Sequence, residues 1–492
     1  MRKRICIVFC LMLLVALFSG CEKHDPNLDV LELTLITDQA AELQELDIYT
    51  NLQKLDLRGS SCYDAIEEYI ASHPHVAVTY DVQVAGKRYT TDTTQLIFNH
   101  GEFQLEEILC NMKYLHQLNT LELPDTQLNF EQMQQIYDTY PDLNVIYTVD
   151  IMGRQVTPDV TELDFSGLDI DQVQEYLEPV KLLPALTTIR LIDENGNSNF
   201  APADVKLMMD ALPGVNLSYS FELFGQTIST ADERVEFVKV DIGNEGIPQI
   251  REALDILPNC TYFLMDNCGV DNEVMAQLRE DYPDTKVVWR VYWGFCNDLT
   301  DVEMIHCTDG MDDYNVEVLK YCNDVKYLDI GHNTKLCNID FIGYMPKLEI
   351  AIIVDCGAFD LEPFANCPNL QWLEIVKCRN VSDLSPLANC TNLKGLNMSA
   401  VYEVQDLSPL FGLEKLERLY LGYNILPEGQ YEAACEALPN CWVTNTAEIA
   451  NNVSSNYAIG WRLDADGTRA EWYEQIREIF RYSENYYNGK VG

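Results

Sequence analysis

Two places in this chain put histidine and cysteine side chains where they could do chemistry. His306 precedes Cys307, and a cysteine with a nearby histidine is the pairing of a thiol nucleophile and its base. His73 and His75 flank a single proline and could be read as a pair of metal ligands. Both places have a structural explanation. Cys307 falls at a core position of a repeat, and the two histidines stand at a helix-to-strand turn whose other copies in the chain have no histidine. We therefore expect no catalytic site.

Motif searches support that expectation. The sequence contains no nucleophile-elbow serine, HExxH pair, Walker loop or CxxC motif. One segment has the oxygen ligands of a calcium loop, but its glycine, Gly196, is misplaced for an EF-hand, and a second acidic turn at residues 464–467 lacks the first and last ligands. We expect neither to bind metal and predict no cofactor. The residues of the first segment are Asp193, Asn195, Asn197 and Asp204.

The N-terminal residues have the composition of a secretory signal. Residues 2–4 are basic, residues 5–18 are apolar, and Ser19 and Gly20 precede Cys21. The apolar run is short for a membrane-spanning helix. Residues 18–21, Phe-Ser-Gly-Cys, resemble the lipobox of bacterial lipoproteins, in which leucine is commoner where Phe18 stands.

This resemblance implies a lipid anchor. In bacterial lipoproteins the chain is cut before the cysteine, so the thiol of Cys21 would carry a diacylglycerol and its new amine would be acylated. Several acyl chains hold a protein to a bilayer far better than one. We expect the chain to be anchored on the extracytoplasmic face of the cell membrane. An ordinary cleaved signal followed by an accidental cysteine is the alternative.

Charge narrows the class of partner. The chain has 33 basic and 78 acidic residues and a formal charge of −45. Such a surface repels nucleic acid and anionic headgroups, so we expect no nucleic-acid partner. We attribute the acidity to the solubility that a long, thin exported protein needs. Attraction of cationic partners or divalent ions is the alternative.

A repeat of about 23 residues organises the C-terminal half. The template is apolar-x-x-apolar-x-apolar-x-x followed by Asn, Cys or a small residue, and successive starts lie 23, 23, 22, 23 and 23 residues apart. Alternating apolar residues predict a short strand with one buried face, and a single unit cannot bury that face without stacked neighbours. The Asn or Cys is expected to close each turn by bonding backbone groups. The starts are Val302, Val325, Leu348, Leu370, Leu393 and Leu416.

These repeats resemble the bacterial leucine-rich repeats of the internalin type. Residues 369–375 and 381–387 are close to that consensus, residues 406–410 repeat its second half, and the close resemblance covers about 299–446. It implies an α/β leucine-rich-repeat solenoid, with a curved, mainly parallel sheet on the concave face and helices and irregular turns on the convex face.

Upstream, residues 30–298 predict a composite repeat of about 63 to 75 residues. Each copy contains two leucine-rich turns and then an added alternating strand that ends in a glycine turn. One aromatic residue stands in each added strand, in register with Val and Leu, so we predict that it packs in the core and does not form a carbohydrate-stacking row. These aromatic residues are Tyr80, Tyr147, Tyr219 and Trp289.

Cysteine usage is unusual for an exported chain. There are 17 cysteines, and Cys322, Cys367 and Cys390 share one repeat register with Met345 and Leu413. A cysteine that alternates with Met and Leu behaves as a buried hydrophobe. We predict that most cysteines after Cys21 are reduced core thiols, with a minority of disulfides still possible between neighbouring turns.

Residues between the apolar positions of the template should point away from the core and line the concave sheet, the surface that solenoids use for partners. Aromatic and aliphatic side chains recur there among charged ones, as at interface hot spots. We expect them to be exposed, the alternative being a face partly covered by the chain's own loops. The predicted binding residues are Tyr327, Asp329, Ile350, Ile352, Trp372, Glu374, Arg418 and Tyr420.

The C-terminal residues predict a loop and then a helix. Thr468 and Glu471 form a capping box, and an apolar stripe follows. Because a solenoid needs an end cover, we predict that this helix caps the repeats, and a partner-binding helix is the alternative. The stripe consists of Trp472, Ile476, Ile479 and Phe480.

We therefore expect a cell-surface, lipid-anchored binding or adhesion protein that recognises a protein or glycan through the concave face. A structural spacer or scaffold in an envelope complex is the alternative, and an enzyme or solute-binding lipoprotein ranks last. The expected segments are the signal peptide 1–20, a lipidated linker 21–29, composite repeats 30–298, regular repeats 299–446, and a C-terminal loop with capping helix 447–492.

Overall fold

The computed structural model describes residues 29–99, 101–126, 128–358, 360–445 and 470–482. The predicted signal peptide, Cys21 and the capping-box residue Thr468 lie outside them. The chain forms two compact units, Met1–Phe221 and Glu222–Gly492. No helix among the described residues is both long enough and apolar enough to cross a membrane.

Parallel three-stranded sheets β1-β2-β3, β6-β7-β8 and β11-β12-β13 organise the first unit, each made of two repeat strands and the added strand. The central residues pair across each sheet, as Leu33 does with Leu55 and Leu55 with Val78. Each of these sheets therefore contains the three strands that the composite repeat predicts. Its strands are β1 (Glu32–Thr34), β2 (Lys54–Asp56), β3 (Ala77–Thr79), β4 (Asp81–Val84), β5 (Lys87–Thr90), β6 (Gln95–Ile97), β7 (Thr120–Leu123), β8 (Asn144–Tyr147), β9 (Val149–Ile151), β10 (Arg154–Val156), β11 (Glu162–Asp164), β12 (Thr188–Arg190) and β13 (Asn216–Ser218).

Helices connect these strands and bury one apolar stripe each. The helix at Phe130–Thr139 begins at Asn129, whose side chain accepts a hydrogen bond from the Gln132 backbone N–H at 2.9 Å, while the Gln132 side chain accepts one from the Asn129 N–H at 3.0 Å. This reciprocal cap satisfies two N–H groups that have no partner inside the helix. The helices are α1 (Ala40–Gln44), α2 (Tyr63–Ser72), α3 (Leu105–Asn111), α4 (Phe130–Thr139), α5 (Ile170–Val180) and α6 (Pro202–Ala211), with 3₁₀ turns at Glu45–Ile48 and Met112–Tyr114.

An antiparallel hairpin follows each added strand, a feature that the sequence pattern indicated only by its glycine turn. The hairpins are β4–β5, β9–β10, a pair at Ser220–Leu223 and Gln226–Ser229 (β14 and β15), and a fourth in the second unit. In the first hairpin Ala85 and Gly86 have φ of 53° and 71°. Positive φ at both central residues is the backbone of the tight turn that matches the twist of two antiparallel strands.

The aromatic side chains of the added strands are all buried, as predicted. Their polar atoms also find partners. The hydroxyl groups of Tyr147 and Tyr219 donate to backbone carbonyls at 2.6 and 2.9 Å, the Tyr80 hydroxyl donates to a glutamate, and the Trp289 indole N–H donates to Asn272 at 2.9 Å. A buried hydroxyl or indole would be costly without such a partner.

The second unit begins with a four-stranded sheet, in the order β16-β17-β18-β19. The first three strands are parallel, and the long strand β18 turns back as the fourth hairpin. This sheet is the last composite repeat. Its elements are β16 (Arg234–Val238), a 3₁₀ turn (Asn244–Gly246), α7 (Ile247–Leu254), β17 (Tyr262–Asp266), α8 (Asn272–Asp281), β18 (Lys286–Trp293) and β19 (Cys296–Leu299).

A parallel seven-stranded sheet follows, with one strand per repeat. Each of the six predicted repeats supplies one strand, and β26 adds a seventh. The strands are β20 (Met304–His306), β21 (Tyr327–Asp329), β22 (Ile350–Ile352), β23 (Trp372–Glu374), β24 (Gly395–Asn397), β25 (Arg418–Tyr420) and β26 (Trp442–Thr444). Five 3₁₀ turns (Glu317–Tyr321, Asp340–Tyr344, Glu362–Asn366, Ser385–Asn389 and Ser408–Leu410) and the helices α9 (Gln430–Ala437) and α10 (Glu471–Ile479) complete the unit.

The core of this sheet is the row of central strand residues. They pair in register from each strand to the next, and Leu373 and Leu396 have no exposed surface. The 23-residue period therefore has the structural meaning predicted for it, and the chain is a mixed α/β leucine-rich-repeat fold with parallel sheets. The row consists of Ile305, Leu328, Ala351, Leu373, Leu396, Leu419 and Val443.

Candidate functional site

The candidate site is the side of the seven-stranded sheet that faces away from this core. In each three-residue strand the first and third side chains point opposite to the central one. We call the surface that they form the outer face. It consists of Met304, His306, Tyr327, Asp329, Ile350, Ile352, Trp372, Glu374, Gly395, Asn397, Arg418, Tyr420, Trp442 and Thr444, and it contains all eight predicted binding residues.

Helix α10 packs on the middle of the outer face. Tyr473, Ile476 and Phe480 form one hydrophobic cluster with Ile350 and Ile352. Met304, Tyr327, Trp372, Trp472 and Ile479 pack around that cluster. The predicted helix and its apolar stripe are therefore present, but the stripe packs against the sheet face, and the prediction that it covers the end of the repeats is wrong. The apolar side chains of the helix are buried there against aromatic and aliphatic residues of the sheet.

This packing also corrects the predicted exposure of the binding residues. Ile350, Ile352 and Tyr420 are 6%, 5% and 2% exposed, and Tyr327 and Trp372 are half-buried. Asp329, Glu374 and Arg418 are buried as well. The residues lie together on one face, as predicted. The chain's own C-terminal helix covers much of this face, so the outcome is close to the stated alternative, in which loops of the chain cover it.

A polar contact joins Tyr482, the last residue that the structure describes, to the outer face. The Tyr482 hydroxyl donates to the carboxylate of Asp329, which also accepts from the Gly331 N–H at 3.1 Å. The His306 ring lies 3.5 Å from the same carboxylate and meets the rings of Phe480 and Tyr482 edge-on. A buried carboxylate requires such partners, because burial without them costs several kcal/mol.

Beside the helix the outer face contains a cleft with tryptophan walls. The rings of Trp372 and Trp472 stack 4.2 Å apart at 12°, and the Arg418 guanidinium lies 4.8 Å from the Trp442 ring and 5.8 Å from the Trp472 ring. The cleft has a volume of about 530 Å³, and Lys394 and carboxylates complete its lining. Indole faces beside an arginine and carboxylates can bind peptide or sugar groups. We call it the tryptophan cleft.

Sequence reasoning missed several of its residues, among them Trp442 and Lys394. Trp442 lies on β26, the strand that the template did not count, and Lys394 precedes β24 and so falls outside the two predicted columns. The seventh repeat could have been found by continuing the repeat spacing from Arg418. A step of 24 residues leads to Trp442, with which Arg418 pairs in the sheet.

Turn closure follows the prediction for the last template position. The Asn333 side-chain amide donates to the carbonyls of Cys307 and Ile330 at 2.7 and 2.9 Å. Cys356, at the equivalent position of the next repeat, donates its thiol to the same Ile330 carbonyl at 3.2 Å, and Cys378 donates to Ile353 at 3.0 Å. Burial raises the pKa of the Cys356 thiol to about 12, which removes its nucleophilic thiolate at neutral pH.

The chemical candidates of the sequence do not assemble into a site. No group of three or more His, Cys, Asp or Glu side chains within the described ranges could hold a metal ion. His73 and His75 have ring centroids 6.0 Å apart. Asp193 accepts the backbone N–H groups of Asn195 and Asn197 at 2.8 Å each and so closes its own loop.

His306 and Cys307 do not form a dyad. The imidazole lies on the outer face, whereas the Cys307 thiol contacts the Cys296 thiol. Opposite directions are expected for neighbouring residues of an extended chain. The lipidation residue Cys21 and the acidic turn at residues 464–467 lie outside the described residues.

Comparison with known proteins gives structural likenesses only. No protein-family model matches the sequence, and no curated protein matches it significantly. Similar solved structures include the internalin InlF of Listeria monocytogenes (14% identity, 86% of this chain and 85% of that one, TM-score 0.25). A leucine-rich-repeat protein of Leptospira interrogans is also similar (15% identity, 85% and 96%, TM-score 0.27).

The functional domain of InlJ from Listeria monocytogenes, which includes a cysteine ladder, is a third (12% identity, 84% of this chain and 62% of that one, TM-score 0.25). At these identities and TM-scores the likenesses carry no argument about what the chain binds. The leucine-rich-repeat fold stands on the strand register described above.

Proposed function

We propose that this chain is a lipid-anchored binding protein on the extracytoplasmic face of the cell membrane, and that it recognises a protein or glycan partner through the outer face. The observation that carries the proposal is the tryptophan cleft. It brings Trp372 of β23 together with Arg418 and Trp442, which pair on the neighbouring strands β25 and β26. Tryptophan and arginine are the side chains that most often dominate the energy of binding interfaces.

Helix α10 supports the same proposal from the other side. The outer face already accepts an amphipathic helix, with Ile476 against aliphatic residues and Trp472 stacked on Trp372. Docking of such a helix onto an apolar face is one of the recurring modes of peptide recognition. The tryptophan cleft lies next to the docked helix, so a partner can enter it while α10 stays in place.

The test is capture of partners from host and bacterial surface fractions by the mature ectodomain, followed by affinity measurements on Trp442→Ala. Trp442 lines the cleft but is not part of the cluster that holds α10. We expect the dissociation constant of a captured partner to rise about tenfold or more, the effect of losing a hot-spot side chain.

The matched control is Ile425→Ala, because Ile425 is 70% exposed and lies outside the outer face. Equal thermal unfolding midpoints of the two variants would show that any loss of binding is local. A partner that binds Trp442→Ala as tightly as the unaltered chain would refute the cleft as its site. Trp372→Ala and Tyr327→Ala are poorer tests, since both residues also contact the helix.

The membrane anchor is tested separately. Metabolic labelling with palmitate should mark the chain, and Cys21→Ser should abolish the label and release the protein from the membrane fraction. Label that persists in Cys21→Ser would refute the anchor and leave the binding proposal intact.

A spacer or scaffold in an envelope complex is the second candidate. The observation that favours it is the coverage of the outer face by α10, which leaves Ile350 and Ile352 buried within the chain itself. Capture of envelope components alone, with affinities unchanged by Trp442→Ala, would support this candidate over the first.

A further inference from the structure

Two cysteine thiols of the second unit lie in direct contact. Cys296 is the first residue of β19, Cys307 directly follows β20, and their Sγ atoms are 2.7 Å apart. Nonbonded sulfur atoms do not ordinarily approach so closely, and the bonded distance in a disulfide is about 2.05 Å. The pair is therefore placed to form a covalent bond with only a small movement.

Comparison among the four composite repeats shows that both cysteines are exceptions at their positions. The first residue of the returning hairpin strand is Lys87, Arg154 or Gln226 in the other three copies. In the strands that follow those three hairpins, the buried residue two places after the central core residue is Phe98, Phe165 or Phe237. A polar surface position and an aromatic core position are thus both cysteine, one in the fourth hairpin and the other directly after the strand that follows it.

The tip of the fourth hairpin is also packed where the others are open. A Cβ atom placed on Gly294 would collide with the Gly310 carbonyl oxygen, and one placed on Gly310 would lie 2.8 Å from the Phe295 ring. At the tips of the earlier hairpins, a Cβ atom on Gly86 or Gly153 would have no neighbour within 4 Å. Contact between residues 294–295 and Gly310 holds the two thiols in place.

The other buried thiols of the sheet have different partners. Cys356, Cys378 and Cys390 donate to backbone carbonyls of the preceding turn at 3.2, 3.0 and 3.4 Å. Cys367 does the same at 3.6 Å. These thiols donate the hydrogen bonds that close the turns, whereas the Cys296 and Cys307 thiols contact each other.

We propose that Cys296 and Cys307 are a modification site that forms a disulfide by exchange with a small-molecule or protein disulfide, which fastens the fourth hairpin to the first turn of the seven-stranded sheet. The thiolate of the half-exposed Cys296 attacks one sulfur of the oxidant and releases the other as a thiolate. The Cys307 thiol then gives up its proton as it attacks the Cys296 sulfur, and the second oxidant thiolate leaves and takes up that proton. The oxidant thus gains the two electrons and the two protons of the cysteines.

The order of attack follows from the surroundings of the two thiols. Cys307 is 5% exposed, and burial together with the neighbouring Cys296 thiol raises its pKa to about 12. Cys296 is more accessible, and an accessible thiol is the one that an oxidant reaches first. Cys307 then acts as the resolving thiol.

The experiment treats the full reduced chain with oxidised glutathione and then counts thiols in denaturant. We expect the Cys296 and Cys307 thiols to be lost together, as a cross-linked Cys296–Cys307 peptide in a non-reducing digest, whereas exposed thiols such as that of Cys435 would carry glutathione. Cys307→Ser should instead retain a glutathione adduct on Cys296, and Cys296→Ser should leave the Cys307 thiol free. Cys435→Ser, which removes an exposed cysteine, should still form the cross-link.

The peptide map of the unaltered chain does not depend on how the variants fold. A stable glutathione adduct on Cys296 of the unaltered chain, or a cross-link between turn cysteines such as Cys356 and Cys378 in its place, would overturn the proposal. So would a full complement of free thiols after treatment. None of these outcomes bears on whether the outer face binds a partner.

Discussion

Release of helix α10 by the single substitution Ile476→Asp is the most direct test of how the outer face is covered. Ile476 is 1% exposed and lies in one cluster with Ile350 and Ile352. The helix has only nine residues, and a helix of that length is not stable alone in water. Its structure therefore depends on docking, so undocking and unfolding of the helix are one event.

The size of the effect follows from this burial. Removing a buried isoleucine from its apolar surroundings loses about 1.5–3 kcal/mol. A carboxylate left unpaired among Ile350, Ile352 and Phe480 would cost several kcal/mol more. The two terms together exceed about 4 kcal/mol, which shifts the docking equilibrium by roughly a thousandfold at 1.4 kcal/mol per decade.

Amide hydrogen exchange measures that shift directly. Exchange in Glu471–Ile479 should accelerate up to about a thousandfold in Ile476→Asp, until it reaches the rate of an unfolded peptide, because exchange reports the free energy of local opening. The amides of β22 and β23, bonded within the sheet, should keep their protection. Glu478→Gln is the control, since Glu478 is exposed on the same helix. Equal helix exchange in Ile476→Asp and Glu478→Gln would refute the assigned docking.

Two further predictions concern the repeat core. Leu373→Ala should lower the free energy of unfolding by about 2–5 kcal/mol in urea titrations, since Leu373 is fully buried. The control Arg379→Ala, at an exposed residue, should change it by less than about 0.5 kcal/mol. Equal effects of the two substitutions would contradict the core assignment. Burial raises the pKa of the Cys367 thiol to about 12, so the neutral form of this thiol is favoured in the folded state. The stability that this preference contributes is complete below about pH 8.5 and is lost as the pH rises toward 12. Under reducing conditions the stability of the unaltered chain should therefore fall faster with pH than that of Cys367→Ala, by about 1.4 kcal/mol per pH unit above pH 9, and parallel pH profiles would contradict this.

The repeat period was sufficient to predict the strands and their core. Residues such as Leu373 and Leu396 were placed in the core by alternation alone, and the structure pairs them in register. The roles of Asn333 and Cys356 in closing turns were likewise predictable, because each acts through backbone groups of its own and the adjacent repeat. These features depend on short stretches of chain that recur at a constant spacing.

Several features of the candidate site were not predictable in the same way. The stripe on α10 showed that the helix must be covered, but not that Ile350 and Ile352, more than a hundred residues earlier, would cover it. The Cys296–Cys307 contact depends on how the fourth hairpin tip packs against Gly310. No local sequence pattern identifies the residues against which α10 packs or the thiol that Cys296 contacts.

The amino-acid sequence by itself determined which residues form strands, which side chains point into the core, and which ones share the outer face, because periodicity at two and at about 23 residues acts through local geometry and stacking of neighbours. Only the tertiary structure decided that α10 lies on that face, that Trp372 stacks on Trp472, and that a cleft remains beside them. An apolar stripe favours burial against any apolar surface of matching shape, and the choice among such surfaces is made by packing in three dimensions.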